Sequence, residues 1–186
     1  MMLCHTVDDD LWLALLEAKH APSMFAMVDR ERARLGEWLP WVDRTQSVTD
    51  TLKFIEGTRR SFAESKDVVL GVWYQGRIAG TVGIHDITNE DRSAFIGYWL
   101  GVEFEGKGIM SMCCLSMVDH AFSVLGLNRL EIRCSAKNTR SQAIPERIGF
   151  RREGTLIQAE RHGNEYRDVI VYGLLSCEWN QEQGVR

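Results

Sequence analysis

Gly97-Tyr-Trp-Leu-Gly-Val-Glu-Phe-Glu-Gly-Lys-Gly-Ile-Met110 decides the fold of this 186-residue chain. It opens inside an aromatic and branched run, Phe95–Leu100, that reads as a β-strand. Gly106 and Gly108 then mark a turn, and Ser111–Phe122 reads as the helix beyond it. Glycine lets the backbone turn tightly and approach a ligand with no Cβ in the way. The first N–H groups of the helix have no partner within it, and its positive dipole end faces the turn. Strand, glycine turn and helix together make a cradle suited to a phosphate or pyrophosphate.

Working upstream, Val68–Tyr74 and Ile78–Ile84 flank Gln75-Gly76-Arg77 and read as a hairpin. Ser47 or Thr49 caps a helix to about Ala63, with Leu52, Ile55 and Phe62 on its apolar side. Pro22 suits the first turn of a helix running to about Leu35. Leu11–Leu16 is a candidate first strand, and Trp38-Leu-Pro-Trp41 is a loop because Pro40 disfavours helix before it. Downstream, the helix after the turn runs to about Leu125 and Leu130–Cys134 is a short strand. Asn138 or Thr139 opens a helix that ends near Gly149. Phe150–Glu160 and Val169–Leu175 close the sheet across His162-Gly163-Asn164. Residues 177–186 read as a polar, frayed tail. The order predicts an α/β sheet of mixed strand direction with helices on both faces, in a single domain spanning residues 1–186.

Composition narrows the class. The formal net charge of -4 argues against a general nucleic-acid binder. No apolar run approaches a membrane span and the N-terminus lacks a signal-peptide pattern, so the expected compartment is the cytoplasm. Cys4, Cys113, Cys114, Cys134 and Cys177 are odd in number and scattered, which fits reduced thiols without metal or redox spacing. No Ser-His-Asp, Cys-His or metal-ligand set competes for the chemistry, and no metal is expected.

Five ordered pieces resemble the GNAT N-acetyltransferases, specifically the RimJ/RimL type. They are Ile96-Gly-Tyr-Trp-Leu100, Gly106-Lys-Gly-Ile-Met110, Asn138-Thr-Arg-Ser141, Arg147-Ile-Gly-Phe150, and Gly154–Glu160 followed by Gly163–Asp168. The resemblance covers most of the chain and implies the GNAT fold, a mostly antiparallel sheet flanked by helices. It also implies acetyl-CoA as cosubstrate and direct transfer to an amine. The acceptor it implies is a protein N-terminal α-amine, that of a ribosomal protein; a homodimer is implied as well. The same chemistry on a small amine (polyamine, amino acid or antibiotic) is the nearest alternative. A non-catalytic acyl-CoA-binding module is a further one.

The resemblance assigns residues too. Leu100 and Val102 would pair through their backbone with the pantetheine arm. A backbone N–H near Trp99 or Leu100 would support the oxyanion. Gly106, Lys107, Gly108, Ile109 and Met110 would hold the pyrophosphate, with Lys107 supplying charge. Glu105 stands where the family has Gln or Arg, and Pro145 stands where many members have the tyrosine acid. Ser141 is then the candidate acid, although a mid-helix serine commonly bonds a backbone carbonyl instead. Asn138 would bond the pantetheine, cap its helix, or both. Glu160 is the candidate base and His85 its competitor. Trp38, Trp41, His85 and Tyr98 would line the acceptor site, or else pack the core.

Overall fold

The computed structural model describes residues 4–183. One eight-stranded sheet runs through the molecule in the order β1-β2-β3-β4-β5-β6-β8-β7. Its strands are β1 Cys4–Asp8, β2 Leu11–Leu15, β3 Val68–Tyr74, β4 Arg77–Thr88, β5 Ser93–Leu100, β6 Arg129–Ser135, β7 Arg151–His162 and β8 Glu165–Leu175. Every neighbouring pair is antiparallel except β5–β6. The helices are α1 Ala21–Arg30, α2 Arg32–Gly36, α3 Val48–Ala63, α4 Ile109–Asp119, α5 Thr139–Arg147 and α6 Ser176–Gln183. A π-helical turn, His120–Val124, extends α4.

Successive strand residues point to opposite faces, and β5 shows which helices cover which face. Trp99 packs on Trp41, in the loop between α2 and α3, at 5.8 Å between ring centroids. Its neighbour Tyr98 points to the other face and reaches Ser141 on α5. The core is continuous across both layers, with Leu13, Ile55, Leu70 and Val82 fully buried alongside Met117, Val118, Leu130 and Tyr172.

Two sequence expectations need correction. The helix expected from Pro22 to Leu35 is broken at Glu31, whose φ of -109° and ψ of 16° leave the helical region. The break lets the Glu31 carboxylate turn inward, where only 7% of the residue is exposed. The expected frayed tail is helix α6 as far as Gln183. Trp179 is buried, and Glu178 accepts the Leu175 N–H at 2.8 Å and pairs with Arg151. Polar composition hid one apolar anchor and one capping carboxylate; residues 184–186 lie outside the described residues. Strand β1 also precedes the first strand read from the sequence.

Candidate active site

The site begins where two strands part. β5 and β6 pair in parallel only from Ser93 to Phe95, opposite Arg129 to Glu131. Beyond Phe95, β5 stays with β4 while β6 stays with β8, so a gap opens along Ile96–Leu100. The Gly101 N–H donates to the Ala79 carbonyl at 2.8 Å. Backbone groups alternate in direction along an antiparallel ladder, so those of Tyr98 and Leu100 face the gap. Of the two N–H groups considered for the oxyanion, that of Leu100 therefore faces the gap and that of Trp99 faces β4.

A cavity of about 1050 Å³ fills this gap and continues past the glycine turn. That is the upper end of ligand-pocket size. Tyr98, Leu100, Val102, Gly106, Gly108, Ile109, Met110, Asn138 and Ser141 all line it, as does Trp38. Gly106 and Gly108 both have φ of +75°, which a side chain would strain, and a Cβ at either would meet nothing within 4 Å. The backbone angle thus requires glycine, and the space left by the missing side chains opens to the cavity. Gly108 caps α4 without a side-chain partner, leaving the next N–H groups directed at the cavity. The residues present fit a pyrophosphate here.

Charge reaches the cradle by a route the sequence did not reveal. Lys107 turns away, its ammonium over the rings of Tyr74 at 5.3 Å and Phe104 at 5.9 Å. Glu105 is instead flanked by two guanidiniums, Arg34 and Arg140, the latter at 2.9 Å. Both arginines line the cavity, and the Nε of Arg34 is buried without a hydrogen-bond partner among the described residues. Arg147, also at the cavity, donates to Ser111 Oγ at 2.9 Å in the first turn of α4. The off-pattern Glu105 therefore holds cations at the cradle rather than discharging it.

The expected pairing at Val102 is not free. Its N–H donates to Glu31 Oε2 at 3.0 Å, and the Leu100 carbonyl accepts from Arg34 at 2.9 Å. A carbonyl has a second lone pair for a ligand, whereas an N–H does not donate equally twice. Val102 accordingly contributes its exposed side chain to the wall. Burial pushes the Glu31 carboxyl up, but Arg34, the Val102 N–H and Arg30 together hold it below the ordinary glutamate value.

On the other wall, Asn138 Oδ1 caps α5 by accepting the Ser141 N–H at 3.1 Å. Its amide nitrogen has no protein partner among the described residues, so capping and ligand contact are compatible. Ser141 Oγ lies 3.2 Å from both Tyr98 Oη and Cys134 Sγ.

Glu160, His85 and Trp41 do not line this cavity. Glu160 is half-buried on β7, opposite Arg167 of β8, just after a bulge that displaces the register between Leu156 and Glu160. It is close enough to add to the upward push on the Cys134 thiol, which comes mainly from burial. Arg167 ties this hairpin to the Trp38 loop: it donates to the Glu37 carbonyl at 2.6 Å and lies 5.7 Å from the Trp38 ring. The His85 ring lies over Gly83 and Gly97, where a Cβ would come within 2.7 Å and 3.3 Å of it. Burial lowers its pKa despite Asp67 and Asp86, so the imidazole is neutral at pH 7.

The comparisons with known proteins agree with this geometry. Residues 10–151 match the acetyltransferase (GNAT) domain family. The chain is 35% identical over 179 residues to Bacillus subtilis (strain 168) YdaF, named for a provisional role as a ribosomal N-acetyltransferase, covering 95% of this chain and 97% of that one. Among solved structures, the microcin C7 self-immunity acetyltransferase MccE, in complex with acetyl-CoA and AMP, superposes with a TM-score of 0.90 at 26% identity. It covers 94% of this chain and 97% of its own. RimL, the ribosomal L7/L12 α-N-protein acetyltransferase, was solved with coenzyme A in disulfide linkage to a cysteine. It gives 0.88 at 28% identity, with coverage of 92% and 97%. With the split strands, the glycine cradle and a family match over most of its length, the chain belongs to the GNAT acetyltransferases.

Proposed function

We propose that this enzyme moves the acetyl group of acetyl-CoA onto a protein N-terminal α-amine, with a ribosomal protein as acceptor, by direct attack in a ternary complex. The observation that carries this reading is the freed edge of β5 leading without a break into the Gly106–Gly108 cradle. An extended thioester arm suits the strand edge, and its pyrophosphate suits the turn and α4. Acetyl-CoA supplies the activated acyl group. Leu100 N–H is directed toward the gap in which the thioester oxygen would lie. Glu160 takes the amine proton through a water, and Ser141 returns a proton to the leaving sulfur. Trp38 and Tyr98 form the acceptor walls, with Trp38 held between the α2 loop and the β7–β8 hairpin by Arg167, while Trp41 packs on Trp99 outside the cavity.

The named roles of YdaF and RimL support a ribosomal acceptor. MccE, solved with AMP, favours a small-amine acceptor as the second reading. Mass spectrometry of ribosomal proteins from cells with and without the enzyme separates the two. An acetyl shift at one N-terminus is expected; no shift, with turnover on polyamines or aminoacyl nucleotides, would establish the small-amine reading. We also infer a homodimer, since β7 is an edge strand exposed from Arg151 to Ala159, including Leu156 and Ile157. A cytoplasmic setting is supported by the buried free thiols of Cys113, Cys114 and Cys134. Among the described residues, no helix is long and apolar enough to cross a membrane.

A further inference from the structure

Pro145 stands four residues after Ser141 within α5. It has no N–H, so the Ser141 carbonyl lacks its intrahelical donor. Tyr98, crossing from β5, fills that vacancy: its hydroxyl donates to the Ser141 carbonyl at 3.0 Å. The same phenolic oxygen accepts the Ser141 Oγ–H at 3.2 Å. Cys134 Sγ closes the cluster from behind, 3.2 Å from Ser141 Oγ. Tyr98 and Ser141 line the cavity, while Cys134 is buried. One tyrosine thus repairs the helix defect and touches the hydroxyl assigned to acid catalysis.

A serine acting alone is a poor proton donor to a thiolate, because its alkoxide is far more basic than the sulfur it protonates. A phenol, with an ordinary pKa of about 10, is much closer to a thiol. Burial raises Tyr98 well above its ordinary value, with the nearby Cys134 and Cys114 thiols adding to that push, so its proton is in place throughout the working range and the resting phenol is a weaker acid than a free one.

We propose that Tyr98 is the positioning residue and proton reservoir behind Ser141, the pair acting as a two-hydroxyl relay; this rests on the reading of Ser141 as the acid. As the acyl C–S bond breaks, its electron pair goes to sulfur. Sulfur takes the Ser141 Oγ proton while Oγ takes the Tyr98 proton. The tyrosinate recovers a proton from water in the open cavity, matching the one released by the amine. Two hydroxyl torsions change: the Ser141 Oγ–H turns from Tyr98 Oη to the sulfur, and the Tyr98 hydrogen swings from the Ser141 carbonyl to Oγ.

Single-turnover acetyl transfer to a short serine-initiated peptide, with acetyl-CoA hydrolysis as the acceptor-free version of the same step, tests the relay in water and heavy-water mixtures. The wild type is expected to give a curved, two-proton inventory. Tyr98→Phe should give a linear, one-proton inventory and a rate lower by about 10²-fold, with acetyl-CoA binding unchanged. If Tyr98→Phe is slow but keeps the curvature, or keeps the full rate while Ser141→Ala is slow, Tyr98 is structural and the relay is wrong. If Ser141→Ala keeps the full rate, the assignment of Ser141 itself falls. A ring-fluorinated tyrosine at position 98 leaves the shape intact should Tyr98→Phe not fold. It must shift the rate and its pH profile if the phenol proton is in flight, and an unchanged profile overturns the relay.

Discussion

Glu160 and His85 are the two candidate bases read from the sequence; neither lines the cavity, and their surroundings differ. The His85 ring fills the space that Gly83 and Gly97 leave, beside Asp67 at 4.0 Å, and stays outside the cavity. Glu160 sits on the hairpin that Arg167 fastens to the Trp38 loop, where an acceptor amine would enter. Glu160→Gln should lower kcat by about 10²-fold at neutral pH. The loss should shrink above pH ~8, where an α-amine is already unprotonated. His85→Gln should leave the pH–rate profile in place; a reversal of these two results would transfer the base role to His85. The sequence disclosed the carboxylate and its spacing. It did not disclose the bulge at Leu156–Glu160, because a bulge depends on pairing with β8 rather than on local residue type.

Elements show the same division between local and tertiary information. Strand β3 runs over Val68–Tyr74 as its apolar run predicts, and Ser47 caps α3 by accepting the Asp50 N–H. Both signals are local. The α1–α2 break was not legible, since Glu31 and Arg34 fit a continuous helix as well as a broken one. Its cause lies about 70 residues downstream, where the Val102 N–H and Leu100 carbonyl need partners beside the splayed strand. Glu31, Arg34, Glu105 and Arg140 then form one chain of ion pairs along the cavity from α1 to α5. Glu31 is the buried link, with its side chain 5% exposed, whereas Arg140 is 84% exposed. Removing one partner of a buried pair leaves the other charge uncompensated. Glu31→Ala should therefore cost about 3 kcal/mol in urea unfolding and weaken acetyl-CoA binding by loosening the Leu100 edge. Arg140→Ala should cost less than about 1 kcal/mol and weaken binding of acetyl-CoA but not of its pantetheine fragment. Equal stability losses would show that burial does not grade this chain.

For the whole molecule, buried titratable groups set a stability window whose two edges have opposite signs. His20, His85 and His120 all have lowered pKa values, chiefly through burial. Below their ordinary value of 6.5 the unfolded chain takes up protons that the folded chain refuses, so their stability contribution is complete above 6.5 and falls as pH drops. Glu31 and Glu153, held below 4.5, add a second loss at lower pH. At the alkaline edge, burial pushes Cys113 to about 12 and raises Cys114 and Cys134 from an ordinary 9.0. The unfolded chain releases these thiol protons first, so stability is full below 9.0 and declines above it. Thermal unfolding should show a broad maximum of Tm between about pH 6.5 and pH 9, with both shoulders falling. Acetyl-CoA binds the folded state, so a saturating amount should raise the whole curve. The histidine part of the acid shoulder, just below 6.5, should keep its shape, because none of these three histidines lines the cofactor cavity. A ligand-dependent change in that shoulder would mean that a histidine, His85 first among them, reports on the occupied site after all.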